Sequence, residues 1–285
     1  MFSAVLVALF GVPKLIWVSD SAALQSQKSP AADTSPPSTQ TSTRRTWNPQ
    51  ATAEGSIVVF TVVNNHTAAV TTRHTEGCTQ SAMNRCAPGV IHLPPGHDVP
   101  NEESVVYQDN PDRRIEVGEE VRFGVPAGYH GKMSVIDANY PLTGNTETLL
   151  EGSYLHQEGE LKLDFDISMV DGFSVPMTCS CAGEVLAGCS WDLLQESRCP
   201  EKDRGEGYCR NPLRFDETAA VATDFFRPCQ AAAYTFPHDD SANLNGHPAC
   251  NSKVTCCIGS ACAPHIRQCL GDMANKPECR RFYHH

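Results

Sequence analysis

Two carboxylates five residues apart, Asp166 and Asp171, lie in the stretch "KLDFDISMVDGFSVPMTCSC" that runs from Lys162 to Cys181. Leu161, Leu163, Phe165 and Ile167 alternate with Lys162, Asp164, Asp166 and Ser168. This is the period of two that buries one strand face and wets the other. Asp171-Gly172 then turns the chain into a cysteine cluster. Acids on the wet face of a strand ordinarily serve solubility. An acid on the strand followed by another at its turn also predicts an acidic cleft that handles a neutral polymer.

Composition narrows the chemistry. The 285 residues carry a formal net charge of −11, and the basic pairs Arg44-Arg45 and Arg280-Arg281 are isolated. Nucleic-acid binding rests on basic patches that neutralise phosphates, so no nucleic-acid partner is expected. The sequence holds 14 cysteines: Cys78, Cys86, Cys179, Cys181, Cys189, Cys199, Cys209, Cys229, Cys250, Cys256, Cys257, Cys262, Cys269 and Cys279. An even number, dense after Cys179, predicts disulfides formed in an oxidising compartment rather than cytosolic thiols. Zinc is the competing reading, but no CxxC is matched with a second CxxC or an HxxxH at the spacing of a tetrahedral site. No metal and no cofactor is expected, and there is no P-loop, G-x-S-x-G or glycine-rich dinucleotide motif.

Residues 1–23 read as a signal peptide. Apolar runs at Ala4 to Val12 and Leu15 to Val18 are too short to span a membrane, and small residues follow at Ser19, Ser21 and Ala23. An uncleaved anchor is the alternative. Residues 24–54, rich in Ser, Thr and Pro, read as a disordered linker. Order is expected from Gly55, with a first strand ending at Asn64-Asn65. Asn65-His66-Thr67 is a glycosylation sequon, usable if it lies on a surface turn. Further strands are expected at Ala68 to Thr72, Ser104 to Tyr107, Arg114 to Val117, Glu120 to Val125, Lys132 to Ile136 and Leu161 to Ser168. Short runs separated by Gly, Pro and Asn turns indicate an all-β sandwich or barrel. Residues 55–178 form the β part and 179–240 a cysteine-rich lobe. In that lobe Ser190 to Glu196 and the stretch "ETAAVATDFF" after Asp216 read as short capped helices. Residues 241–285 hold a closing strand and a cysteine-containing tail.

Several segments in order resemble the thaumatin-like (osmotin-like) family. They are "FTVVNN" at 60–65, "VPAGYHGK" at 125–132, "TLLEG" at 148–152, "DFDISMVDGFSVPM" at 164–177 and "ATDFFRPCQAAAYTFPHDD" at 222–240. The resemblance implies a flattened β-sandwich with a disulfide-rich, partly helical lobe and an acidic cleft between them. It also implies a secreted, extracellular or cell-wall protein that binds β-1,3-glucan, with no membrane partner in its mature form and as a monomer. Carried over by motif, the cleft acids are Glu151, Asp166 and Asp171. The family's cleft arginine falls near Ile136 and its last aspartate at or near Ala232, which implies the loss of two cleft charges. Where plant-type members have a cysteine after the first strand, this chain has His66, so the usual bridge to the last strand cannot form. Cys78 and Cys86 sit in an insert, Thr75 to Pro111, where they could pair locally.

Glycosidic hydrolysis needs one carboxylic acid to protonate the leaving oxygen and one carboxylate to attack or activate water. Glu151 would be that acid and Asp171 the base, with Asp166 setting the field. Sugar binding alone needs hydroxyl acceptors and an aromatic platform, for which Phe173, Tyr140 and Tyr154 lie in suitable stretches. His238 beside Asp239-Asp240 reads as part of a turn whose aspartates brace the chain. Three readings follow: a secreted binder of β-glucan or a related wall polysaccharide with weak or no hydrolysis, an active endo-β-1,3-glucanase, and a protein-interaction module or effector without sugar chemistry.

Overall fold

Alternating apolar positions pair into two sheets in the computed structural model, which describes residues 45–46, 57–77, 87–101, 103–107, 112–270 and 277–282. The proposed signal peptide, most of the linker, and Cys78 and Cys86 lie outside the described residues. In chain order the strands are β1 (Arg45–Thr46), β2 (Ile57–Asn64), β3 (Val70–Glu76), β4 (Val90–Leu93), β5 (Val105–Tyr107), β6 (Arg113–Ile115), β7 (Glu120–Pro126) and β8 (Tyr129–Asp137). They continue with β9 (Thr148–Gln157), β10 (Glu160–Ser168), β11 (Gly172–Phe173), β12 (Met177–Cys181), β13 (Glu184–Cys189), β14 (Cys209–Arg210), β15 (Leu244–Asn245) and β16 (Lys253–Ile258). One sheet has the order β1-β5-β4-β7-β2-β16-β12-β13 and the other β15-β10-β9-β8-β3-β6, while β11 and β14 make a separate pair.

The core lies between the two sheets. Phe60 of β2 stacks on Phe123 of β7 at 5.2 Å and meets Phe165 of β10 edge-on at 5.9 Å, which ties one sheet to the other. Along β10 Leu163, Phe165 and Ile167 are buried while Asp164 and Asp166 are half-buried, as the alternation requires. Strand β2 is buried on both faces, because Val59 joins Ile91 and Leu93 in a smaller apolar cluster of its own.

The closing strand β16 runs parallel to β2 from Lys253↔Val59 to Ile258↔Asn64. This ladder joins first strand to last without the bridge that His66 displaces, and Cys257 pairs instead with Cys262. Among the described residues twelve cysteines form six disulfides, the others being Cys179–Cys256, Cys181–Cys250, Cys189–Cys229, Cys199–Cys209 and Cys269–Cys279. The fold is the expected all-β one.

Several local expectations are corrected. Arg45 and Thr46, read as linker, pair with Val106 and Val105 of β5. Strands β12 and β13 carry the sandwich past residue 178, since Met177 to Cys181 pairs with β16 as well as β13. The first lobe helix is the single turn Leu193–Glu196, capped by Asp192 rather than Ser190. The second helix does not form: the Asp216 carboxylate accepts from Thr218 N at 3.0 Å and Thr218 Oγ1 at 2.7 Å, and the chain continues as turns. Phe225 and Phe226 are both buried in this turn-rich arrangement.

His74 of β3 points into the sandwich, edge-on to Phe123 at 4.5 Å and to His92 at 5.7 Å. Burial, then the nearby His92 and Arg113, pushes it down from 6.5 to about 3. The folded state therefore keeps His74 neutral while the unfolded chain protonates it, so the stability it contributes is lost as pH falls from 6.5 towards about 3. Replacing it by Phe should reduce the fall in Tm between pH 6.5 and pH 4, a saving of at most about 3 kcal/mol. Thermal denaturation followed by circular dichroism across that range checks this, and an unchanged acid sensitivity contradicts it.

Candidate functional site

Strand register aligns the site. Lys132 of β8 is the cross-strand partner of Glu151 of β9, and Glu151 is the partner of Asp166 of β10. Directly opposed residues share a face with Cβ atoms about 5 Å apart. The three therefore form one row, while Met133, Leu150, Phe165 and Ile167 point into the core. Asp171, just past β10, joins the row through an ion pair with Lys132, Nζ to Oδ2 3.4 Å. Its other oxygen, Oδ1, lies 2.9 Å from Arg214 Nη2. Side chains of Lys132, Asp171 and Arg214 are only 13–16% exposed, so these charges act through partly excluded water.

Backbone constraints hold Asp171 in place. A Cβ on Gly172 would lie 2.8 Å from the Cys209 carbonyl oxygen and closer still to that of Thr146, so only glycine permits this approach. Asn211, fully buried, donates to the carbonyls of Met169 and Thr235 at 2.9 and 2.8 Å, and its backbone N–H donates to Asp171 O at 3.3 Å. One side chain thus knots together the segments that carry Asp171, Arg214 and Tyr234. Arg214 Nη1 donates to Asn145 O at 3.1 Å. The loop that presents this carbonyl is shaped by buried Glu147, which accepts from Thr143 Oγ1 at 2.8 Å and Thr146 N at 3.0 Å.

Burial raises the Glu151 carboxyl above its ordinary 4.5. The Lys132 ammonium and a hydrogen bond from Ser168 lower it, and the Asp171 charge raises it again. Tyr234 lies beside Ser168 in a short parallel bridge, and its hydroxyl donates to Asp240 at 3.4 Å. Burial, followed by the charges of Asp166, Asp240 and Asp164, holds this phenol above its usual range. The cluster thus offers a carboxyl inclined to keep its proton, a neutral phenol, and carboxylates whose charge is offset by two cations.

Of the residues expected from the sequence, Glu151, Asp166 and Asp171 come together. Phe173 does not join them, because its ring is fully buried and edge-on to Phe225, and Tyr154 is likewise in the core. Tyr140 is 39% exposed, with its ring laid over the backbone of Gly207. Ile136 and Ala232 are buried and uncharged, and the positive charge beside the acids comes instead from Lys132 and Arg214. Phe215, 67% exposed, was not anticipated; the Arg214 guanidinium sits 4.5 Å from its ring centre. Asp239 braces its turn by accepting from Thr235 Oγ1 at 2.8 Å and Ser241 Oγ at 3.2 Å, and His238 pairs with Glu217. Lys132 had a signal in the alternation of β8, opposite Met133, whereas nothing in the spacing of the lobe marks Arg214 or Phe215. Among the described residues, no group of three or more His, Cys, Asp or Glu is arranged to hold a metal ion.

These features define a disulfide-stapled β-sandwich with an acidic cluster bordered by its lobe. No family model matches the chain. Zeamatin from Zea mays is 33% identical over 110 residues, 33% of this chain and 48% of zeamatin. A thaumatin-like protein from Actinidia deliciosa is 33% identical over 108 residues, 33% of this chain and 47% of that protein. The chain spans about half the length of the curated relatives it matches. These similarities support a divergent relationship to the thaumatin-like family.

Because the folded value of Glu151 lies above its unfolded one, the stability this group contributes is fully present below 4.5 and is lost as pH rises through the folded value. Glu151→Gln should therefore raise Tm relative to the parent near neutral pH. The difference should shrink to nothing below about pH 4. Paired thermal melts across this range test it, and a variant that is less stable at neutral pH contradicts it.

Proposed function

We propose that this is a secreted protein that binds β-1,3-glucan or a related neutral wall polysaccharide at the acidic cluster, with little or no hydrolysis. The observation that carries the proposal is the single row Lys132–Glu151–Asp166, joined by Asp171. Neutral sugars present many hydroxyl donors, and carboxylates held in a partly dehydrated row accept them strongly. Tyr234 and a protonated fraction of Glu151 donate in return. Phe215 supplies an exposed apolar ring at the edge, braced from beneath by Arg214, on which a sugar face can stack. The β-1,3-linkage is suggested by the family resemblance, and the six disulfides are consistent with export.

Weak hydrolysis follows from the way Asp171 is held. Glu151 suits a general acid, but each Asp171 oxygen already faces a cation, Lys132 on one side and Arg214 on the other. A carboxylate so engaged is a poor nucleophile or base, because attack would require breaking those pairs. The endo-glucanase reading therefore has its acid but lacks an unencumbered partner at 171.

Co-sedimentation with insoluble β-1,3-glucan tests the binding. Glu151→Gln, expected to fold at least as well as the parent, should weaken retention roughly tenfold, since a hydrogen bond to a charged group is worth about 1.5–3 kcal/mol and about 1.4 kcal/mol is tenfold. Phe215→Ala should weaken it without altering Tm. Parent-like retention by both variants, or no retention of the folded parent, contradicts the proposal. Sustained reducing-sugar release that disappears in Glu151→Gln would move the assignment to the glucanase.

A further inference from the structure

Two adjacent asparagines at the end of β2 have opposite fates. Asn64 is fully buried, and its side-chain amide donates to the carbonyls of Ala68 and Ile115, both at 3.0 Å, while its oxygen accepts from His66 N at 2.9 Å. These bonds fold residues 65–68 into a tight surface turn. Asn65 is exposed at its start, with its backbone N–H fixed on Ile258 O at 2.8 Å. Its side-chain nitrogen contacts the Cys257 sulfur at 3.3 Å, in an exposed interaction that is weak by nature. Thr67, two residues on, is exposed as well. Asn65-His66-Thr67 is the only Asn-x-Ser/Thr in the 285 residues.

We infer that Asn65 is an N-glycosylation site, with the sugar lying over the Cys257–Cys262 loop. The turn that Asn64 builds keeps the acceptor amide and the Thr67 hydroxyl on the outside, so a bulky, hydrated group is accommodated without loss of any core contact. In the transfer, Asn65 Nδ2 bonds to C1 of the reducing-end N-acetylglucosamine of a polyprenyl-diphosphate-linked oligosaccharide. The C1–O bond breaks, its electron pair leaves with the polyprenyl diphosphate, and a base of the transferase takes the amide proton. Asn65 follows a strand of one sheet, whereas Lys132, Glu151 and Asp166 stand on the other sheet, facing away from the core between them. The glycan therefore leaves the acidic cluster open, and the inference is independent of the glucan reading.

The test uses the full chain, expressed in a eukaryotic secretory host with the host's cleavable leader in front, and recovered from lumen and medium. A peptide N-glycosidase should lower its mass and leave Asp at position 65 in the peptide map. Asn65→Gln and Thr67→Ala should migrate at the lower mass and not respond to the enzyme, Thr67→Ser should behave as the parent, and glucan retention should be the same for all. A disulfide-bonded parent chain whose mass the enzyme does not change overturns the inference, as does a shift that persists in Asn65→Gln.

Discussion

Asp171 held between Lys132 of the sheet and Arg214 of the lobe is the interaction on which the site depends. It brings a carboxylate from a turn into the row that strand register builds, and it joins the sheet to the lobe. A partly buried ion pair of this kind adds little net stability, because the desolvation it requires offsets most of its attraction. Its effect is on geometry and charge. With both cations in place, three carboxylates stand on one surface without forcing one another to protonate fully, although Glu151 is still held above its ordinary value.

Covalent and backbone constraints make that pairing possible. The lobe has one α-helical turn and one 3-10 turn, Arg227–Cys229, and disulfides restrict the chain between them. Cys199–Cys209 closes the loop that leads through β14 to Asn211 and Arg214, and Cys189–Cys229 anchors the segment that presents Tyr234. Gly172 lets β11 approach the Thr146 and Cys209 carbonyls, which sets the direction from which the Asp171 side chain arrives. Removing any of these constraints would leave the acids on β9 and β10 aligned but without their neighbour.

Much of this was legible in the residues. The alternation of Leu163, Phe165 and Ile167 with Asp164 and Asp166 set the two faces of β10 without ambiguity, since a period of two admits only one assignment once a core is present. The cysteine count marked the stapled lobe. What the sequence withheld depended on long-range contact. Phe173, one residue past the turn glycine, reads as core more readily than as a platform, and the packing of Phe225 against it agrees. The stretch after Asp216 has a cap and alanines that favour a helix, but Thr218 satisfies Asp216 locally and the chain goes on as turns. The cations were missed because motif carry-over pointed to Ile136, while the register of β8 puts Lys132 beside Glu151, and because Arg214 reaches the row from a loop whose spacing has no periodicity.

The site is set by electrostatics: a row of carboxylates on one sheet face, offset by Lys132. Titration of the Glu151 carboxyl carbon by NMR tests it most directly, in the parent and in Lys132→Met. A midpoint above 4.5 in the parent and a further rise when the ammonium is removed are expected. An ordinary midpoint in both proteins would contradict it.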